Sequence, residues 1–411
     1  MKKLPLDGVR VLDLTMMWAG PYATRMLGEM GAEIIKIESP KAWDNLRTFL
    51  PRTDDVQDPW NSDLFFAEYN HNKKSVSLDL AVNAGRDVFL KLVARSDVVI
   101  ENYRADVMDK LRLSDEVLFT ANPALVLVSM AGFGKTGADK NNVGYGPIIE
   151  MMSGLTSLTG YDESAPQKSG VSYPDPVAGA AAAGAVSLGL IKRRRTGKGS
   201  RIDLAQVEAT MTLAGVAFAA FNRTKAGPAV TGNRHPIWAP QGCYPVRGED
   251  QWIVISCTND AQWVACALAI GRADLAGLSL LERRARHDEI DASISAWSSP
   301  VNGVVAVDVL QAAGVPSGRV LDMRTIKDDP QLYARGYWVR IPNEKMHPYR
   351  KSGVAWRLVE AKPAITSHAP YFGAHNEEIL RAVAGLSGDD ITQLAADGVI
   401  ADRLCGSVRF G

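Results

Sequence analysis

Along the first 130 residues, short apolar runs alternate with longer stretches whose apolar residues recur every three or four positions. "VRVLDLT" (9–15), "AEIIKIE" (32–38), "DVVIENY" (97–103) and "ALVLVSM" (124–130) read as strands. "GPYATRMLGEMG" (20–31), "AGRDVFLKLVARS" (84–96) and "VMDKLRLSDEVLFTANP" (107–123) read as helices. Strands of nearly continuous apolar character, separated by helix-length segments, predict a parallel sheet covered by helices. Residues 39–71 form a long Pro/Asp/Asn-rich excursion, too long for an idle connection and expected to lie over a site or a partner chain. An Ala/Gly-rich helix is predicted from 177, and a further apolar helical stretch, "DLAQVEATMTLAGVAFAAFNRT", follows it.

The pattern then changes. "TKAGPAVTGNRHPIWAPQG" reads as a linker, and "CYPVRGEDQWIVISC" as a hairpin turning at Arg247–Asp250. Helices are expected near 260–275 and 281–297, and the tail returns to helix-forming sequence. These features predict an α/β protein, with residues 1–222 as the first part of a large domain and 223–335 as a smaller α+β domain with its linkers.

Composition narrows the function. Of 411 residues, 46% are hydrophobic and 22% charged, as in ordinary globular proteins. Lys+Arg and Asp+Glu both total 46. A zero net charge argues against nucleic acid or an anionic membrane as the main partner, so an anionic ligand would rest on a few placed cations. Cys243, Cys257, Cys266 and Cys405 form no CxxC pair and no metal spacing with the six histidines, which points to reduced thiols and a cytoplasmic protein. No metal site is expected. No signal-peptide core follows "MKKLPLDGV", and the Ala/Gly stretch before "KRRR" reads as a buried helix rather than a membrane span.

Several motifs fail on inspection. "AGFGKTG" has Ser129 where a phosphate loop needs glycine, and the glycines Gly132, Gly134 and Gly137 open into loop rather than helix. No G-x-S-x-G elbow or paired metal spacing accompanies His71, His235, His287, His347, His368 and His375, for most of which turn or surface roles are expected. Arg104 and Lys110 fall just past the strand "DVVIENY", where open α/β sheets collect ligands; two cations there suit phosphates, although solvated turns carry charges as readily. Asp175 stands between two prolines ahead of the Ala/Gly helix, which suits a helix N-cap with Pro176 at the first helical position.

Six segments in order resemble the class III CoA-transferase, or CaiB/BaiF, family. They are "LDGVRVLDLTMMWAGPYATRMLGEMGAEIIKIESP", "NHNKKSVSLDL", "SDVVIENYRADVMDKL", "VSMAGFGKTG", "PDPVAGAAAAGAVSLGLIKRRRTGKGSRIDLAQVEA" and "APYFGAHNEEIL", and they span nearly the whole chain. The resemblance implies a Rossmann-like large domain built from both chain ends, with residues 336–411 returning to it, and an interlocked dimer, or pairing with a second chain. It implies that Asp175 is the nucleophile, its ionised form favoured at a helix N-terminus. It further implies that Trp18, Ala19, Leu78, Asn102, Tyr103, Arg104, Lys110, Leu111 and Tyr145 bind coenzyme A. No tightly bound cofactor is implied; an acyl-CoA thioester and a carboxylic acid are the substrates. Relatives often carry glutamine at the position of Trp18 and arginine at that of Ser39. The stretch "RHPIWAPQGCYPVRGEDQWI" looks more like members acting on succinyl-CoA-type donors and larger or aromatic acids, such as benzylsuccinate transferases, than like the glycine-rich lid of oxalate-type members.

The nearest rival is an α-methylacyl-CoA racemase, which shares the fold and the aspartate but needs a histidine where this chain has Tyr145. A phenol is a poor base at neutral pH. A non-catalytic subunit and a dehydrogenase rank behind.

Overall fold

The computed structural model describes residues 3–50, 58–161, 167–227, 230–342 and 349–405. The chain divides into two compact units, one of Met1–Thr156, Lys168–Lys225 and Leu332–Gly411, the other of Ser157–Gln167 and Ala226–Gln331.

The first unit is built on six parallel strands: β1 (Arg10–Asp13), β2 (Glu33–Glu38), β3 (Lys73–Ser77), β4 (Val98–Glu101), β5 (Val126–Ser129) and β6 (Ser200–Asp203). Their spatial order is β3-β2-β1-β4-β5-β6, so the strand order reverses direction between β1 and β4, which pair Val11 with Val98 and Asp13 with Ile100. Its helices include α1 (Ala19–Glu29), α2 (Leu64–Tyr69), α3 (Asn83–Val93), α4 (Val107–Lys110), α5 (Asp115–Ala121), α6 (Gly146–Met152), α7 (Pro174–Thr196) and α8 (Gln206–Met211).

Alternation along the strands sorts side chains to two cores. Leu12, Ile35, Val99 and Leu127 pack with α3, α5 and the late helix Asn376–Ala382. Val11, Ile34, Ile100 and Val128 pack with α1 and α7. Both faces are therefore covered, which is why the strands read as continuous apolar runs. α7 is long and apolar enough to cross a membrane, but its Ala178, Ala182 and Val186 are wholly buried in this second core. It approaches α1 so closely that a Cβ on Gly179 would lie 2.6 Å from the Ala19 carbonyl oxygen.

Three local readings are corrected. Residues 107–123 form two short helices, because Arg112 adopts a left-handed φ of 57° that ends the first. α7 begins at Pro174 with Tyr173 as N-cap, so Asp175 is in the first turn and is not the cap. Pro174 and Pro176 both fit there because first-turn N–H groups have no helical partner. Strands β3 and β6 were not apparent in the sequence. "KKSVS" carries lysines, yet it is an edge strand whose Ser75 and Ser77 amides donate to His375 Nδ1 (3.1 Å) and Asn376 Oδ1 (2.8 Å). The C-terminal segment thus covers the edge.

In the second unit, β7 (Gln241–Pro245) and β8 (Trp252–Ser256) form the expected antiparallel hairpin, and β9 (Ser317–Arg319) adds a third strand. Its separate core gathers Tyr244, Ile253, Trp263, Ile290 and Leu310.

Candidate active site

A cavity of about 500 Å³ opens at the carboxyl ends of the central strands. It is lined by Met16, Met17 and Trp18 after β1, by Asn102, Tyr103 and Arg104 after β4, and by Ala131 and Gly132 after β5. A reversal of strand order leaves a crevice at this edge, because the connections leave β1 and β4 in opposite directions. Asp175 closes one side from the first turn of α7.

The β1–α1 turn is held rigid by charges buried beneath it. Lys73 Nζ lies 3.0 Å from Asp13 Oδ2 and 2.7 Å from Thr24 Oγ1, while Asp13 Oδ1 accepts the Thr15 amide at 2.9 Å. Lys36 donates to the Thr15 carbonyl at 2.7 Å and pairs with Asp44 at 2.9 Å. Asp44 accepts the Met17 amide at 3.0 Å, and the Asn102 side chain both accepts from and donates to the Met16 backbone, at 2.8 and 2.7 Å. Met17 is thereby held at φ 65°, a conformation that costs a non-glycine residue about 1–3 kcal/mol unless its surroundings enforce it. Burial alone would raise the Asp13 carboxyl, but Lys73 and Lys36 outweigh it and hold the group low; burial drags Lys73 down to about 8.

Asp175 is half-buried. Burial pushes its carboxyl up to about 6, against the pull of the Ala19 backbone amide and of its own. The helix N-terminus was expected to favour the ionised form, and the two amides do so, but desolvation outweighs them. Gly146, at the start of α6, makes room for the carboxylate. A Cβ there would collide with Asp175 Oδ2 and lie 2.7 Å from Ser172 Cβ. Trp18 packs against Tyr69 with centroids 5.3 Å apart and planes tilted by 30°, and its indole N–H is buried with no hydrogen-bond partner among the described residues.

The cavity brings together Trp18, Asn102, Tyr103, Arg104, Tyr145 and Asp175 of the residues singled out from sequence. Ala19 is buried at the start of α1, where its amide meets Asp175. Three do not join them. Leu78 is wholly buried in the core beneath the sheet. Lys110 turns to Asp106 at 2.5 Å, and neither it nor Leu111 belongs to the lining. Asn102 spends its amide on the Met16 backbone, so it shapes the turn. The sequence reading missed Lys140, Phe49, Phe65, Gly146 and Ser172, which also line the cavity. Phe49 and Phe65 belong to the 39–71 excursion, but nothing in their spacing singled them out.

None of the described histidines lines this cavity. His71 is not a surface residue: it is fully buried, with Nε2 2.9 Å from Glu29 and Nδ1 2.8 Å from Lys351. Burial and the neighbouring cations keep it neutral. His347 lies outside the described residues. Among the described residues no group of His, Cys, Asp and Glu could hold a metal ion.

A family model described as CoA-transferase family III matches residues 6–376. The chain belongs to that family. It is 30% identical over 400 residues to a succinyl-CoA–D-citramalate CoA-transferase of Chloroflexus aurantiacus, covering 96% of this chain and 98% of that one. It is 34% identical over 358 residues to an acetyl-CoA:oxalate CoA-transferase of Acetobacter aceti, covering 85% and 90%. A crystal structure of a CaiB/BaiF family protein from Brucella suis superposes with a TM-score of 0.83 at 31% identity, covering 93% of this chain and all of that one. This family III chain is therefore an enzyme of the CoA-transferase class, with its parallel sheet and its smaller antiparallel sheets in the CaiB/BaiF fold.

Proposed function

We propose that this enzyme moves coenzyme A from an acyl-CoA thioester to a free carboxylic acid through covalent chemistry on Asp175. A single observation carries the reading: a half-buried carboxylate, held by the Ala19 amide, faces a cavity at the crevice of an open parallel sheet. In the first half-reaction an Asp175 oxygen attacks the thioester carbonyl, the C–S bond breaks, and CoA leaves as thiolate with the electron pair. The thiolate then attacks the aspartyl carbonyl of the mixed anhydride, expelling the donor acid as its carboxylate. An aspartyl-CoA thioester results. The acceptor carboxylate attacks that thioester, and the released thiolate attacks the acceptor's acyl carbon, which restores Asp175. No net proton is consumed.

Each step develops an oxyanion, for which backbone amides lining the cavity are the donors required. Arg104 and Lys140, the two cations in the lining, suit the phosphates of CoA. A cytoplasmic setting accords with the four free cysteines. Assembly as an interlocked homodimer, or with a second related chain, is supported by the exposed apolar residues Met151, Leu213, Val216 and Phe221. Light scattering should give twice the chain's mass in one of these two forms; a stable monomer contradicts this part.

The function is tested by mixing the protein with acyl-CoA thioesters and candidate acids and following the CoA esters by mass spectrometry. New CoA esters are expected only when an acid is supplied. A racemase would instead exchange the α-hydrogen of a chiral 2-methylacyl-CoA in deuterated water with no acid present, and that outcome overturns the reading. Tyr145 lines the same cavity, but a phenol is a poor base at neutral pH.

A further inference from the structure

The cavity wall is divided, and the division follows the sheet. The connection between β2 and β3, on one side of β1, supplies Asn45, Leu46, Phe49 and Phe65. The connections after β4 and β5, on the other side, supply Arg104 and Lys140. Phe49 and Phe65 pair at 5.2 Å between centroids with their planes at 58°, yet they remain 52% and 38% exposed. Two phenyl rings open to water gain from an apolar group laid against them. The multiply charged phosphates of CoA belong with the two cations. A second carboxylate pressed against the phenyl pair would lose its water with no cation contributed by the described residues of that side.

Resting on the reading of Asp175 given above, we propose that the acyl end of the cavity takes monocarboxylic acids bearing an aryl or similarly bulky apolar group. Phe49 and Phe65 set this preference over short dicarboxylates. The named relatives that act on citramalate and oxalate thus differ from this chain in the acid they take.

An identity-exchange assay isolates the acyl preference. The full-length protein is mixed with 3-phenylpropanoyl-CoA or succinyl-CoA, each with its own deuterium-labelled acid, and incorporation of label into the thioester is followed. The aryl thioester should exceed the succinyl thioester in kcat/KM by at least about tenfold. Phe49→Ala and Phe65→Ala should each shrink that ratio by about tenfold, and both side chains are exposed enough for the variants to fold. A ratio at or below one overturns the proposal, as does the absence of exchange with the aryl thioester. Equal losses with both thioesters also overturn it, because they would make the phenyl pair a contact to the CoA moiety. Failure of the Asp175 reading is separate: exchange that persists in Asp175→Asn removes the nucleophile but leaves the selectivity ratio readable.

Discussion

Asp175→Asn is expected to reduce CoA transfer by at least about four orders of magnitude, the scale on which removal of a covalent nucleophile is felt. The amide keeps the shape of the side chain but cannot form an anhydride that thiolate then opens. Wild-type protein incubated with a thioester and hydroxylamine should yield a hydroxamate at Asp175, detectable in a peptide digest, and the variant none. The pH profile gives a second readout. The nucleophile must be ionised, so kcat/KM should rise with pH through about 6 and level off above it. The same raised value acts against the fold. Between the ordinary value of 3.8 and about 6 the unfolded chain ionises while the folded one resists, so stability falls as pH rises and the penalty is complete above about 6. Asp175→Asn should therefore melt no lower than wild type at pH 7, which separates lost chemistry from lost structure. Transfer at the wild-type rate in the variant would end the covalent reading.

Gly146→Ala is expected to cost at least about a hundredfold in kcat/KM while the protein stays folded. The added methyl would occupy the space of Asp175 Oδ2, with Ser172 blocking retreat on its other side. The carboxylate would have to rotate away from the Ala19 amide, and a displacement of about 1 Å from attack geometry is felt at this scale. Hydroxamate trapping should fall in parallel with turnover. Unchanged kinetics in a folded variant would show that the carboxylate does not work from the position it holds here.

The two predictions differ in how far the sequence could have led to them. Asp175 was legible because it stands ahead of the Ala/Gly helix in a chain of motifs with a family likeness. The partners of Asp175 were not: Gly146 lies twenty-nine positions earlier in the chain and looks like any other loop glycine. Arg104 reached the cavity as expected, whereas Lys110, six residues on, turned to Asp106. Charge and proximity to a strand end were the same signal for both, and only the ion pair separated them. Leu78 showed the converse, an apolar residue next to the right strand whose side chain went to the core.

Buried charge hid strand β3, which carries Lys73, although β2 was read correctly despite Lys36. Lys73 and Lys36 look like surface residues in the sequence, but each finds carboxylates and carbonyls under the β1–α1 turn. A lone buried ammonium is prohibitive, while one with several partners is tolerable, and sequence does not reveal partners. What the sequence alone determined was the alternation that makes β1, β2, β4 and β5 central strands, the hairpin of the second unit, and the helix that carries Asp175. Those follow from local periodicity, which the chain carries residue by residue. What tertiary structure alone decided was where that helix begins, that edge strands β3 and β6 exist, and which distant side chains meet the carboxylate. Those depend on neighbours brought together by folding, and desolvation by those neighbours, rather than the helix end, set the acidity of Asp175.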